Sequence, residues 1–157
     1  MQKITPFLWF DGCAEQAMNF YVSIFKDAKI LSVNRYGKGA PLPEGTVLTA
    51  SFELNGLKFV ALNGGPMYQF SPATSFVVHC ENQDEVDYYW DKLGAGGKPN
   101  RCAWLDDKFG VTWQIVPRQL GELLSDPDPL KAGRVMQAMM QMGKIDIAGL
   151  QRAYDAN

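Results

Sequence analysis

The 157-residue chain has one histidine, His79, and three cysteines, Cys13, Cys80 and Cys102. A lone imidazole excludes a His-rich metal centre and any Ser-His-Asp arrangement with a second histidine in reserve. Three cysteines, odd in number and far apart, argue against a disulfide framework and against a CxxC zinc site. Charge of one sign is also lacking: fifteen Lys and Arg face seventeen Asp and Glu, for a net charge of -2. With no basic run there is no nucleic-acid footprint and no polybasic membrane patch. No apolar stretch approaches the roughly 20 residues needed to cross a bilayer, and MQKITPFLWFDG lacks a charged leader followed by an apolar core. These absences lead us to expect a soluble, cytoplasmic protein whose partner is a small molecule or another protein.

What is present is a chain able to bury one substantial core. At 46% hydrophobic residues, it reads as a single domain of two small modules rather than two independent domains. Residues 3–10 alternate around Ile4, Phe7, Leu8 and Trp9 as a strand, stopped by Asp11-Gly12. From Ala14 to Phe25 the apolar positions fall on a helical stripe. Residues 29–36, 47–54 and 57–63 read as strands, the last two joined by Asn55-Gly56, the strongest short hairpin signal because both turn positions require positive φ. The first module is therefore strand, helix and three antiparallel strands, over about 1–63. A Gly/Pro/Ser-containing linker, 64–73, follows.

The order then repeats over about 74–117. Ser75 to Cys80 is a strand, and Asn82 with Glu85 forms a capping signature for a helix ending at Gly94. Residues 101–105 and 111–116 flank the tight connection DDKFG. The glycine-rich stretch LGAGGKPN, 93–100, neither follows an apolar strand nor opens a helix, as a nucleotide-cradling loop should. After Pro117 the chain turns helical, over 118–157. Asp128 and Pro129 start one helix, with Val135, Met136, Met139, Met140 and Met142 as its apolar face, and Asp146 starts another. The Met cluster reads first as core or dimer packing and second as a ligand-gripping surface. The acidic pairs Asp106-Asp107 and Asp126-Asp128 adjoin Gly or Pro and read as turn and cap residues.

Two such βαβββ units give an α+β fold in which a cupped mixed sheet has helices on one face and a concave, ligand-accepting face on the other. The segments ITPFLWFDGCAEQAMNFYVSIF, FVALNGGP and FGVTWQIVPRQLGELLSDPDPLKAGRVMQAMMQMGKID resemble the PhnB-like branch of the vicinal oxygen chelate superfamily, which includes glyoxalase I, extradiol dioxygenases and bleomycin or fosfomycin resistance proteins. Members of this branch are often described as 3-demethylubiquinone-9 3-methyltransferases. The resemblance implies the glyoxalase-like fold, a helical carboxy-terminal extension and a homodimer. A methyltransferase would also need a place for S-adenosylmethionine, and LGAGGKPN does not offer one.

The superfamily's enzymes hold a divalent metal with His or Glu from four strands. Aligned by element order, those places fall at Thr5, Asn63, Ser75 and Gln114. None is a carboxylate or imidazole, and neutral amides and hydroxyls hold transition metals weakly. Neither a metal nor a cofactor is therefore expected, with the four residues reading organic polar groups directly. Asn63 before Gly64-Gly65-Pro66 reads equally as a plain strand exit. Gln114, between Trp113 and Ile115, needs a hydrogen-bond partner if it points inward. Phe7 and Trp9 share parity with Thr5 and would wall the cup with aromatics, or pack in the core. His79 shares parity with Ser75 and is the natural acid/base candidate, or a surface residue. The cysteines read as small buried hydrophobes. The preferred function is a metal-independent small-molecule-binding protein. The alternative is a metal-dependent lyase, isomerase or dioxygenase using Glu53 and His79, and a dimerisation module comes third.

Overall fold

The structure, a computed structural model, describes all of residues 1–157. The chain forms two compact units, Met1–Phe70 and Ser71–Asn157.

The first unit runs β1 (Phe7–Phe10), α1 (Ala14–Ile24), β2 (Ala28–Arg35), β3 (Val47–Leu54) and β4 (Leu57–Asn63), with strands in the order β1-β4-β3-β2. β1 and β4 are parallel, and the other pairs are antiparallel. Asn55 and Gly56 both take positive φ, 47° and 83°, as a two-residue hairpin requires. The first strand is shorter than its 3–10 alternation suggested, because Pro6 has no N–H to give a ladder. Helix α1 covers one face of the sheet, where Leu8, Phe10, Ala50, Phe52, Leu54, Phe59 and Ala61 are buried with Ala14, Ala17, Met18 and Tyr21 of the helix. Phe52 stacks on Phe59 with ring centroids 5.5 Å apart. The other face carries Phe7 and Trp9 opposite Val60 and Leu62, with Ser51 and Thr49 one strand further on.

The second unit repeats the plan: β5 (Phe76–Cys80), α2 (Gln83–Gly94), β6 (Lys98–Pro99), β7 (Trp104–Asp106) and β8 (Thr112–Pro117), in the order β5-β8-β7-β6. Asn82 caps α2, its Oδ1 accepting the Glu85 N–H at 2.9 Å. The two-residue β6 escapes sequence reading, since a glycine-rich run ending in Lys-Pro carries no strand signal. Trp113, Ile115, Leu105, Val78 and Cys80 are buried on the α2 side. The opposite, open face is set by register: Trp104 pairs with Gln114, which pairs with Val77, and His79 pairs with Val116.

Three helices complete this unit: α3 (Arg118–Leu124), α4 (Pro129–Met140) and α5 (Ile147–Asp155). The Asp128 side chain accepts the Leu130 N–H at 2.9 Å, capping α4 as its Asp-Pro start suggested. The tail has its own core of Leu120, Val135, Ile145 and Leu150, joined by Ala103 and flanked by Met139, Met142 and Tyr154. Met136 and Met140, expected on the same apolar face, are instead exposed, Met140 at 52%.

Candidate functional site

The sequence reading singled out Thr5, Phe7, Trp9, Asn63, Ser75, His79 and Gln114, and the fold separates them into three kinds of place. Ser75 and Gln114 are brought together. The Gln114 side chain donates from Nε2 to Ser75 Oγ at 2.9 Å. This bond resolves the partner question that a mid-strand amide raises, and it does so on the open face of the second sheet. Strand alternation puts Trp113 and Ile115 under α2 and Gln114 away from it. Trp104 and Val77 flank Gln114 in register. An aromatic, an amide and an aliphatic side chain therefore form one row across β7, β8 and β5, with the Ser75 hydroxyl just before β5 bonded to the amide. The bond leaves Gln114 Oε1 as an acceptor and the Ser75 hydroxyl proton as a donor.

His79 lies on the same face, two residues along β5, and is exposed. At the start of β8, Thr112 Oγ1 donates to Asp106 Oδ1 at 2.7 Å, and Thr112 is buried there. Trp104, Thr112 and Asp106 were missed by sequence reasoning. Their signal was the parity of 104–106 against 112–114, legible only once the hairpin register is known.

Asn63 does not share the face of Phe7 and Trp9. It pairs with Phe10, on the parity of Phe59 and Ala61, the side that α1 covers. Its Oδ1 accepts the Ala14 N–H at 2.9 Å, and its Nδ2 donates to the Val47 carbonyl at 3.1 Å. Both ends of the amide are thus bonded to backbone of the first unit. Apolar residues on both parities of Phe59-Val60-Ala61-Leu62 are what made its direction illegible. Thr5 precedes β1 and lies in no strand.

Phe7 and Trp9 stand on the open face of the first sheet, Phe7 at 58% exposure. Trp9 is half-covered by the loop that follows β4. Its Nε1 donates to the Gly65 carbonyl at 2.9 Å, and Tyr68 sits edge-on with ring centroids 5.0 Å apart. A side chain on Gly64 would overlap the Trp9 indole. The glycines of FVALNGGP are therefore explained by Trp9: one lets the loop pass over the ring, and the next supplies the carbonyl.

Several groups were candidates for other chemistry. Cys80 is buried, and burial pushes its thiol up to about 12, with Glu85 adding repulsion. It is inert rather than nucleophilic. Asp107, also buried, accepts the N–H groups of Phe109 and Val111 and the Trp113 indole N–H at 2.8, 3.0 and 2.9 Å, which makes it the keystone of the DDKFG turn. Glu53 pairs with Lys29 at 3.4 Å. No three His, Cys, Asp or Glu side chains converge to hold an ion. The donor set at the four places that the resemblance implies for a metal is of neutral hydroxyls and amides, with the Asn63 amide bonded to backbone at both ends, a chemistry that holds a divalent transition metal weakly.

The glycine-rich stretch does not fit a nucleotide either. Gly94 ends α2, and a Cβ at Gly97 would run into the Asp106 carbonyl and the Asp107 backbone. Gly97 is required by the close approach of β7 and leaves no cradle for a cofactor. A shallow pocket of about 210 Å³ lies beside this stretch, lined by Trp90, Asp91, Gly94, Ala95, Pro99 and Leu105. None of the expected site residues reaches it.

A family model described as 3-demethylubiquinone-9 3-methyltransferase matches residues 2–116. A Bacillus cereus protein described as a putative 3-demethylubiquinone-9 3-methyltransferase, PhnB protein, is 41% identical, with the match covering 74% of this chain and 99% of that one at a TM-score of 0.68. Protein PA1353 from Pseudomonas aeruginosa is 18% identical over 74% of this chain and 98% of its own, at a TM-score of 0.62. The fosfomycin resistance protein FosX from Listeria monocytogenes is 16% identical over 80% and 98%, at 0.58. The last two share the fold. No curated protein matches the chain.

Proposed function

Because the chain belongs to the PhnB-like, 3-demethylubiquinone-9 3-methyltransferase-type family of the vicinal oxygen chelate superfamily, we propose that it is a small-molecule-binding protein of the glyoxalase and bleomycin-resistance type that works without a metal ion. The observation that carries this reading is the Gln114–Ser75 hydrogen bond on the open face of the second sheet, flanked by Trp104 and Val77. A fixed amide and hydroxyl beside an indole suit a flat, uncharged molecule that offers one hydrogen-bond acceptor and one donor. His79, on the same face, is available to a ligand group further along. Phe7 and Trp9 are kept as candidate contacts on the first sheet's own open face, considered by itself, and the two backbone hydrogen bonds of Asn63 support a scaffold role for it.

In this reading the chain acts as one domain, with modules over about 1–63 and 74–117, linker 64–73 and tail 118–157. It works as a homodimer in the cytoplasm. Support comes from Cys80 and Cys102, which form no disulfide, and from exposed apolar side chains such as Ile4, Phe7, Met67 and Tyr68. No helix is long and apolar enough to cross a membrane.

The metal-dependent reading has one observation in its favour: a FosX structure is described as complexed with Mn(II). Here the remaining donors would be Glu53, already paired with Lys29, and His79. Metal analysis of purified protein separates the two readings, together with thermal shifts against Mn, Zn, Ni and Fe. Stoichiometric metal, or stabilisation by one of these ions beyond about 2 kcal/mol, overturns the metal-free proposal. The binding claim is tested by NMR titration with benzamide, a minimal flat amide. Movement of the Gln114 side-chain NH2 signals supports it, and silence across flat uncharged amides at millimolar concentration refutes it.

A further inference from the structure

The helical tail touches the open face of the second sheet at two points. Val116, on the same parity as Gln114, packs against the tail core. The second point is a turn. Cys102 and Ala103 both have left-handed backbone, φ 58° and 78°. With the Trp104 N–H donating to the Arg101 carbonyl at 3.1 Å, residues 101–104 have the form of a type I′ turn. Such turns are built from Gly, Asn or Asp at both central positions. Cysteine and alanine have no local reason to adopt one.

The Asn100 N–H donates to the Trp104 carbonyl at 2.9 Å and the Ile115 N–H to the Ala103 carbonyl at 2.8 Å, but the amides of the two left-handed residues themselves are bonded about forty residues away in the chain. The Cys102 N–H donates to the Met142 carbonyl at 2.8 Å and the Ala103 N–H to the Gly143 carbonyl at 3.0 Å. Ala103 is 1% exposed and belongs to the tail core. The tail segment is itself pinned, since the Gln83 side chain donates to the Ile145 carbonyl at 2.9 Å and accepts the Ile147 N–H at 2.8 Å. The residue leaving the turn is Trp104, in register with Gln114. The family model ends at residue 116, and the Bacillus cereus relative is covered over 99% of its length by a match to 74% of this chain. The tail thus lies beyond the region matched by the family model, and the amides of the left-handed turn are bonded to it.

We propose that the helical tail is a positioning element for the open-face site: the Met142 and Gly143 carbonyls brace the Cys102–Ala103 turn, which sets Trp104 beside Gln114, and the contact at Val116 braces β8 next to the exposed His79. Gln83 is the residue that locks the tail segment in place. This assignment rests on the open face of the second sheet being the binding site. It predicts that loosening the tail changes the site although no tail side chain needs to touch the ligand.

The test uses full-length, isotopically labelled protein. In Gln83→Ala, the Cys102 and Ala103 amide protons should exchange about tenfold faster as local opening becomes easier. The Trp104 indole N–H and Gln114 side-chain signals should move, and benzamide binding should weaken severalfold. In a Cys102→Gly/Ala103→Gly background the turn sustains itself, so adding Gln83→Ala should leave the Trp104 and Gln114 signals in place. Should Gln83→Ala fail to fold, Gly143→Ala replaces it, since the new Cβ would stand 3.3 Å from the Asn100 carbonyl. Unmoved Trp104 and Gln114 signals in the single variant, or a shift that persists in the glycine background, overturn the assignment. Absence of benzamide binding to the parent protein sinks the functional reading instead, and leaves the ligand-free signals to judge the tail.

Discussion

Asn63 and Ala14 are joined by a 2.9 Å hydrogen bond in which the first N–H of α1 donates to the Asn63 side chain, while the same amide donates to Val47 at 3.1 Å. One side chain thus ties the end of β4 to the start of α1 and the start of β3. Asn63→Ala should lower stability by about 1–3 kcal/mol, because partly buried backbone groups lose their partners. Urea denaturation measures this. The benzamide response should survive; if it vanishes in a variant of near-parent stability, Asn63 returns to the binding site.

Adjacent residues on β8 should behave in opposite ways. Trp113 is 3% exposed under α2 and donates to Asp107, so Trp113→Ala should cost about 3–5 kcal/mol. Gln114 is half-buried on the open face. Gln114→Ala should leave the unfolding midpoint almost unmoved and remove the benzamide response. The reverse pattern would mean that the site lies on the helix side of the sheet.

These two predictions mark what a sequence makes legible. Local chemistry was readable: Asn55-Gly56 as a hairpin, Asn82 as a cap and Asp128-Pro129 as a helix start each need only their neighbours. That Gln114 faces away from α2 was readable because parity carries along a strand flanked by a large buried indole, whereas Ser75 was set near it only by matching the element order to the family. Asn63 was not, since β4 is apolar on both parities and alternation names no face. Trp104 was hidden by the turn before it, which contains no Gly or Asn to announce positive φ. The exposed Met136 and Met140 escaped because helical spacing shows that a face is apolar but not which stripe, here Val135 and Met139, the core takes.

Gly64 should tolerate no side chain. In Gly64→Ala the new methyl would occupy the Trp9 indole's place, forcing the ring or the loop to move at an overpacking cost of about 1–3 kcal/mol. The Trp9 bond to Gly65 and its contact with Tyr68 would both be disturbed. Near-UV circular dichroism should lose part of its aromatic signal, and an unchanged spectrum would show that the loop accommodates the methyl.

Cys102→Gly should stabilise the protein. Left-handed backbone costs a non-glycine residue on the order of 1–3 kcal/mol, and Cys102 at φ 58° makes no buried side-chain contact comparable to that of Ala103. A gain of about 1 kcal/mol is expected after the greater entropy of an unfolded glycine is set against it. Ala103→Gly should gain less, because it also empties a methyl site in the tail core. A loss of stability in Cys102→Gly would show that the turn is not strained.

The tail's attachment should depend on pH at both extremes. The Tyr154 hydroxyl, donating to Asp126 at 2.6 Å, holds that carboxyl below its usual range, helped by the Asp128 N–H. Gln83 and then Lys144 do the same for Asp87. A depressed carboxylate stabilises the fold above its unfolded value, about 3.9, and the contribution is lost as pH falls through the still lower folded value. Tyr154 is shifted the other way, raised chiefly by its bond to Asp126. Its contribution is therefore complete below an unfolded value of about 10 and disappears as pH rises through the higher folded one. Amide exchange in α5 should accordingly be slowest on a plateau between about pH 4 and 10, beyond the intrinsic pH dependence of exchange itself. Tyr154→Phe should remove the alkaline limb and weaken the acid one, leaving the part due to Asp87. Since Asp87 shares Gln83 with the segment that holds the Cys102–Ala103 turn, the residual acid limb should appear at the Trp104 indole signal as well. An acid transition in α5 centred above pH 4 would mean that neither carboxylate is held by the partners assigned to it.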